Sequence, residues 1–228
     1  MKDIFERSSL LIGDEGLQKL NNSRVAVFGL GGVGGYVCEA LGRCGVGTLD
    51  IIDADRVEPT NFNRQIIATA QTVGELKTKA FKDRILSINP DCKVNEYPVF
   101  FGKENAEDFD FLQYDYVVDA IDTVTSKVEL AYLCEQCDTP IISSMGTGNK
   151  FYGNRFEVAD IYETEVCPLC RAMRRLLKEK GVRGLKVVYS KEQPQKPKDG
   201  TDCGTLVFAP ACAGLLIAQT VVEDLLKK

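Results

Sequence analysis

RVAVFGLGGVGGYVCEALGRCGVGTLDIID, residues 24–53, decides how the chain is read. Arg24–Phe28 is a short, mostly apolar run of strand length that stops at a glycine cluster. Residues 33–43 then carry Val33, Val37, Ala40 and Leu41 at helical spacing, and Thr48–Ile52 is a second buried strand closed by Asp53. Strand, glycine turn, helix, strand is a βαβ unit, which is parallel and right-handed by the chirality of the chain. Gly29-Leu30-Gly31-Gly32-Val33-Gly34 fits G-x-G-x-x-G. Its glycines permit a tight turn and close approach of a phosphate to the backbone, and the following helix points its N-terminus at the anion. Asp53, 24 positions after Gly29, is placed to accept hydrogen bonds from ribose hydroxyls. Alone, this signal means an adenine nucleotide, NAD being the commonest case.

Outward from this unit the alternation continues. Residues 75–88 form an amphipathic helix stopping before Asn89-Pro90. Strands follow at Lys93–Tyr97 and 116–120, the latter leading to Asp122; then come a helix at 124–137 and a strand at 140–144. Upstream, 15–20 is a short helix. The pattern predicts an α/β fold: a Rossmann-like, doubly wound, mainly parallel sheet with helices on both faces and a short irregular C-terminal extension. The 228 residues suit a single domain, 1–228, with a nucleotide-binding core at 29–150 and a substrate-facing segment and closing helix at 151–228. Within the latter, 155–161 reads as a strand on a different sheet or an edge, 170–180 as a basic helix, 192–200 as a mobile loop rich in Pro and Lys, and 210–226 as the apolar closing helix. No internal repeat is found.

Composition narrows the function. Apolar residues make up 44% and charged residues 27%, ordinary values for a soluble globular chain. No run of about 18 apolar residues is evident, so no membrane span is expected. MKDIFERSSLLIGDEG carries acids where a signal peptide needs an apolar stretch, so a cytoplasmic location is expected. There is no histidine, which excludes Ser-His-Asp and Cys-His catalysis, His-ligated zinc and His-based proton transfer. Nine cysteines without a secretion signal read as reduced thiols rather than a disulfide framework. Net charge is −5, yet residues 171–198 hold ten Lys/Arg against two Glu, a local +8 on a remainder of −13. A basic segment on an acidic body points to an anionic partner at one place.

The loop after Asp53 turns the reading away from NAD. DADRVEPTNFNRQ, residues 53–65, aims an arginine back at the phosphates, which a dehydrogenase does not need, and the chain has no histidine to take the proton in alcohol oxidation.

Here the sequence resembles the E1-like (ThiF-type) adenylating superfamily, which includes ubiquitin-activating enzymes and activators of bacterial sulfur-carrier proteins. The likeness lies at GLGGVGG, at D-x-D-x-V-x-x-x-N-x-x-R-Q, at the lysine of Val73-Gly74-Glu75-Leu76-Lys77, and at Asp119-Ala120-Ile121-Asp122-Thr123, in that order. The opening FERSSLLIG (5–13), Asn63-Arg64-Gln65-Ile66, PIISSMG (140–146) and Phe208-Ala209-Pro210 before Ala213-Gly214-Leu215 resemble the tRNA threonylcarbamoyladenosine dehydratases within it. The likeness covers nearly the whole chain and is weakest at 150–205.

The resemblance implies ATP-dependent activation of a carboxylate: attack on the α-phosphate, departure of pyrophosphate, and an acyl adenylate. It implies that Gly29, Gly31, Gly32 and Gly34 cradle the nucleotide with Asp53, Asp55 and Thr123. Asn61, Arg64 and Lys77 surround the phosphates, and Asp122 holds Mg2+. Arg7 matches an arginine reaching into the partner subunit's site, which implies a homodimer. The bland alternatives are a surface Arg7, a solvated Lys77 beside Lys79 and Lys82, and Asp122 as a helix cap. No histidine is required, because positioning and charge neutralisation carry this reaction.

The superfamily's sulfur-carrier activators hold a structural zinc on two C-x-x-C pairs. This chain has Cys167-Pro168-Leu169-Cys170 but no second late pair. Zinc is therefore not expected; a four-cysteine site would have to recruit Cys203 or Cys212. Cys134 and Cys137 fall on a helix and read as packing. Cys203 sits where some relatives place a transfer cysteine, which would need a lowered pKa. Arg171, Arg174, Arg175, Lys178, Lys180, Arg183 and Lys186 recur along one helix and its exit, with Met173, Leu176 and Leu177 inward. They read as a track for a tRNA backbone, the alternative being a solvated amphipathic face. The expected function is dehydration and cyclisation of N6-threonylcarbamoyladenosine in tRNA. The alternatives are adenylation of a ubiquitin-like sulfur carrier, with a carrier or cysteine-desulfurase partner, and a non-catalytic nucleotide-dependent tRNA-binding adaptor.

Overall fold

β1 (Arg24–Phe28) and β2 (Thr48–Ile52) each bury four of five residues, because both faces of a parallel sheet are covered by helices. The computed structural model describes residues 2–195 and 203–227. Seven strands form one sheet in the order β3-β2-β1-β4-β5-β7-β6, where β3 is Lys93–Tyr97, β4 Tyr116–Asp119, β5 Ile141–Ser144, β6 Phe156–Asp160 and β7 Lys186–Ser190. All neighbours pair in parallel except β6, an antiparallel edge strand on β7.

Among the described residues there are six α-helices: α1 (Lys2–Asn22), α2 (Gly34–Cys44), α3 (Lys77–Ile88), α4 (Val124–Gln136), α5 (Pro168–Glu179) and α6 (Phe208–Lys227). One face of the sheet is covered by α1, α2, α3 and α6, whose core includes Val37, Leu41, Phe81, Ile85, Ile217 and Val221. On the other face α4 and α5 pack around Met173, Leu177 and Tyr189, and a Phe28–Phe101–Phe109–Phe111 cluster completes the layer. The doubly wound fold is thus as the alternation predicts.

Three expectations are corrected. The 151–228 segment is not an irregular extension: it supplies β6, α5, β7 and α6 to the same sheet and layers. β7 went unread because KVVYS lies inside the basic segment, where charge hid a five-residue strand buried at four positions. The edge reading of 155–161 holds. α6 is long and apolar enough by composition to cross a membrane, contrary to the reading of the bare sequence, but Ala209, Ala213, Ile217 and Val221 are buried in the core. α1 runs well beyond 15–20 and breaks at Gly13, φ 75° and ψ 165°. The expectation of a mobile loop at 192–200 falls mostly on 196–202, outside the described residues.

Candidate functional site

The strand order places β1 and β4 side by side, with β2 and β3 running one way and β5 the other. At such a switch point the connections leave to opposite faces and open a crevice at the C-terminal strand ends. A cleft of about 1050 Å3 occupies it, lined from the glycine turn, the 53–65 loop, Asp122, residues 144–148 and residues 203–205.

The glycine turn is enforced by close approach. Gly29 has φ +89°, and a Cβ there would sit 2.6 Å from the Ala120 carbonyl oxygen. A Cβ on Gly34 would sit 1.8 Å from the Gly29 oxygen. Gly31 instead faces open space, its nearest neighbour being Gln65 Nε2 at 4.0 Å, as a phosphate-binding turn requires. α2 starts here without a side-chain cap and without an acid in its first turn, which leaves its N–H groups directed at the cleft. Gln65 Oε1, also at the cleft, is buried without a hydrogen-bond partner, so a bound polar group would satisfy it.

Asp53 closes β2 and organises the turn. Its Oδ2 accepts from Leu30 N–H at 2.7 Å and its Oδ1 from Asp55 N–H at 2.8 Å. The 53–77 excursion returns because Arg56 pairs with Leu76, Val57 N–H donates to Glu75 O, and Lys77 N–H donates to Asp55 O. Lys77, the first residue of α3, is thereby brought back with its Nζ 2.7 Å from Asp55 Oδ2 and 3.9 Å from Asp53 Oδ1. It is only 5% exposed, which overturns the reading of a solvated lysine. Asn61 is buried, its Oδ1 accepting from Glu58 N–H. Arg64 reaches the cleft and donates to Thr60 O and Asn63 Oδ1, both at 3.0 Å.

Asp122 is exposed at the cleft and accepts from Thr123 Oγ1 at 3.3 Å. Thr123, not Asp122, is the N-cap of α4, so Asp122 is no helix cap. The loop that carries it is held from below. Lys127 and Asp119, both wholly buried, lie 2.9 Å apart; Lys127 Nζ also donates to Ile121 O, and Asp119 accepts from Ile121 N–H and Ser143 Oγ. Sequence reading missed this pair, although a lysine one turn into a helix after an Asp-rich strand end was its visible trace.

The structure therefore gathers Gly29, Gly31, Gly32, Asp53, Asp55, Asn61, Arg64, Lys77 and Asp122 at one cleft. Gly34 lies beneath the turn, and Thr123 does not line the cleft. Arg7 is exposed on α1 and lies outside the cleft of its own chain. Residues 145–148 and 99–101 also line it; Met145 and Gly146 lay within the PIISSMG likeness, and for the others the position after strands of a doubly wound sheet was the available signal.

Cys203 is exposed at the cleft, its Sγ filling the place a Cβ on Gly148 would take, while Gly204 exchanges hydrogen bonds with Asn149. Cys212 sits instead against Gly153. Among the described residues no three Cys, Asp or Glu side chains are arranged to hold a metal, so neither cysteine completes a site with Cys167 and Cys170. In the basic segment Met173 and Leu177 are buried as expected. Arg174, however, is drawn inward to Thr164, Lys186 lies on β7 paired with Asp224, and Lys180 and Arg183 pair with Glu129 and Glu135. Of the seven, Arg171, Arg175, Lys178, Lys180 and Arg183 stay exposed, with Arg175, Lys180 and Arg183 held in surface ion pairs, so the track loses Arg174 to Thr164 and is interrupted at Lys186.

Fold and cleft define a Rossmann-like protein with a nucleotide-binding cleft at its switch point. The chain belongs to the ThiF family, whose model matches residues 5–228. It is similar to the tRNA threonylcarbamoyladenosine dehydratase of Bacillus subtilis, 41% identical over 240 residues spanning 98% of this chain and 94% of that protein. Its structure resembles that of Escherichia coli tRNA N6-threonylcarbamoyladenosine dehydratase, TcdA, in complex with ATP. That match has a TM-score of 0.93 and 31% identity, covering 99% of this chain and 95% of that one. The sulfur carrier protein adenylyltransferase of Thermus thermophilus is 37% identical, over only 55% of this chain and 46% of that protein.

Proposed function

We propose that this protein uses ATP to activate the threonyl carboxylate of N6-threonylcarbamoyladenosine in tRNA and drives its cyclisation with net loss of water. The observation that carries this is the convergence of Arg64, Lys77 and Asp122 on an uncapped helix N-terminus at the switch point. The whole-length likeness to the dehydratases supports the substrate, and the sulfur-carrier enzyme matches only about half of either chain.

In the reaction a carboxylate oxygen bonds to the α-phosphorus and pyrophosphate leaves. The ureido group then attacks the acyl carbon and gives up one proton as the ring closes, and AMP departs with the former carboxylate oxygen. Two anions must meet, so the chain's work is charge neutralisation and alignment. Asp53 orients the glycine turn and the ribose. Lys77, parked on Asp55 in this structure, exchanges a carboxylate for phosphate oxygens. Arg64 and Asn61 donate to the phosphates. Mg2+, with one carboxylate and phosphate oxygens as its usual ligands, fits Asp122, an exposed acid whose side chain accepts from the neighbouring Thr123 hydroxyl; when bound it would neutralise phosphate charge.

Arg7 enters the site of a second copy in a homodimer; the exposed Leu10 and Leu11 on the same helix, and Phe151, Tyr152 and Phe208, suit such an interface. The exposed cations of α5 face the tRNA backbone, and the protein works in the cytoplasm. The test is pyrophosphate release from Mg-ATP with tRNA carrying or lacking the threonylcarbamoyl group, with digested nucleosides weighed. Release with loss of one water from the modified adenosine is expected. Silence with tRNA and release with a carrier ending in Gly-Gly would replace this reading with sulfur-carrier activation.

A further inference from the structure

Cys167 and Cys170 take no part in the adenylation chemistry; both are buried in the core layer around Met173 and Leu177, where they stand as a pair. Cys167 is the N-cap of α5, Pro168 its first residue, and Cys170 stands one turn on, so the two sulfurs face each other. Val166, immediately before, has φ 66°. A β-branched residue in the left-handed region is strained, and such strain persists where surrounding structure enforces it, commonly at functional positions. The groups that act on the Cys167 sulfur are the Cys170 thiol, the Cys170 and Gly146 backbone amides and the Lys150 ammonium. Lys150 is itself buried, donating to Ser190 O at 2.7 Å. These interactions pull the Cys167 thiol down to about 5, whereas burial pushes those of Cys38, Cys44, Cys92 and Cys134 up. Cys170 is held as the thiol by its thiolate neighbour. Leu169, between the pair, lines the nucleotide cleft, and a Cβ on Gly146 at the cleft wall would lie 3.8 Å from Cys167 Sγ.

We infer that Cys167 and Cys170 form a peroxide-oxidisable dithiol, Cys167 the sulfur that attacks the peroxide and Cys170 the resolving thiol, whose disulfide form alters the cleft wall at Leu169. The link to the cleft rests on the nucleotide reading above; the thiol chemistry does not. The Cys167 thiolate attacks one oxygen of a small hydroperoxide, the O–O bond breaks, and a sulfenic acid and hydroxide form. Cys170 then attacks the Cys167 sulfur, its proton and the sulfenic hydroxyl leave together as water, and the S–S bond closes. Two electrons pass from the two sulfurs to the peroxide. A hydroperoxide is small enough to reach a thiol that is 3% exposed.

The whole chain is treated with hydrogen peroxide, alkylated after unfolding, and digested with trypsin. Both cysteines, and no others, fall in the peptide spanning residues 156–171. That peptide should become lighter by two hydrogens and refuse alkylation at doses that leave Cys38, Cys92 and Cys134 alkylatable, with dithiothreitol reversing the change. Cys170→Ser should stop at a dimedone-reactive sulfenic acid on Cys167, and Lys150→Met should slow the reaction. ATP should bind the oxidised form about tenfold less tightly than the reduced one. Alkylation of both residues after peroxide, or recovery of the pair bound to a stoichiometric metal, would overturn the dithiol. Equal ATP affinity of the two forms would overturn the link to the cleft. The peptide readout needs no ATP, so failure of the reduced protein to bind ATP counts against the adenylation reading alone.

Discussion

Single side chains at and beneath the cleft separate into those open to a ligand and those that hold others in place. Arg64 lies at the surface of the cleft, where its guanidinium donates to Thr60 O and Asn63 Oδ1 on its own loop. Arg64→Ala should therefore cut turnover by about 10²–10³, the usual cost of one donor aimed at developing charge, while thermal melting stays close to that of the parent. Full pyrophosphate release by this variant would remove Arg64 from the mechanism. Lys127 is the opposite case: wholly buried and 2.9 Å from an equally buried Asp119. Removing one partner leaves an uncompensated charge, so Lys127→Met should destabilise the fold by about 3–5 kcal/mol in urea titrations. The double variant with Asp119→Asn should recover part of that loss.

Elements meet the site through close backbone approach. α6 reaches the glycine turn because Gly214 has no side chain: a Cβ there would lie 2.5 Å from Val33 O and 2.9 Å from Tyr36 Cβ. Pro210, one turn earlier on the same helix, lies against Gly32. Gly214→Ala should push α6 off the start of α2, costing about 1–3 kcal/mol as overpacking does, and should weaken ATP binding more than a surface change such as Leu215→Ala on the outer face. Calorimetric titration with ATP beside thermal melting distinguishes the two. The resemblance motif Phe208-Ala209-Pro210 thus has a physical reading as the seat of a closing helix on a phosphate turn.

At the scale of the whole molecule, ion pairs tie the layers, and the exposed cations are those proposed to meet tRNA. Asp224 on α6 accepts from Tyr116 Oη on β4 at 2.9 Å and pairs with Lys186 on β7. Burial raises its pKa, but the hydrogen bonds from Lys186 and Tyr116 outweigh burial and hold the carboxylate below its usual range. A depressed native pKa contributes stability that is present above the unfolded value of about 3.9 and lost as pH falls through the native one. The parent should accordingly lose stability more steeply than Asp224→Asn on acidification below about pH 4. For the partner, Arg171→Ala and Lys178→Ala should each lower the log–log salt slope of tRNA binding by about one unit for each phosphate left without its cation. Arg174→Ala, whose guanidinium donates to Thr164, should act on melting instead. An unchanged salt slope in the Arg171→Ala, Lys178→Ala double variant would remove α5 from the tRNA surface.

By itself the sequence determined what depends on local chemistry: the turn at Gly29–Gly34, the alternation of strands and helices, and Asp53 at the end of the second strand; Asn61, Arg64, Lys77 and Asp122 came as a set from the family resemblance, and the fold brings them to one cleft. These were legible because glycine clusters, apolar periods and short polar motifs act over a few residues. Tertiary structure alone decided that Lys77 is buried on Asp55, that KVVYS is an interior strand, that Arg174 is engaged by Thr164 and Lys186 by Asp224, and that residues 144–148 and 203–205 join the cleft. Each of those depends on partners far along the chain, and a charge reads alike in sequence whether it faces solvent or an acid on another element.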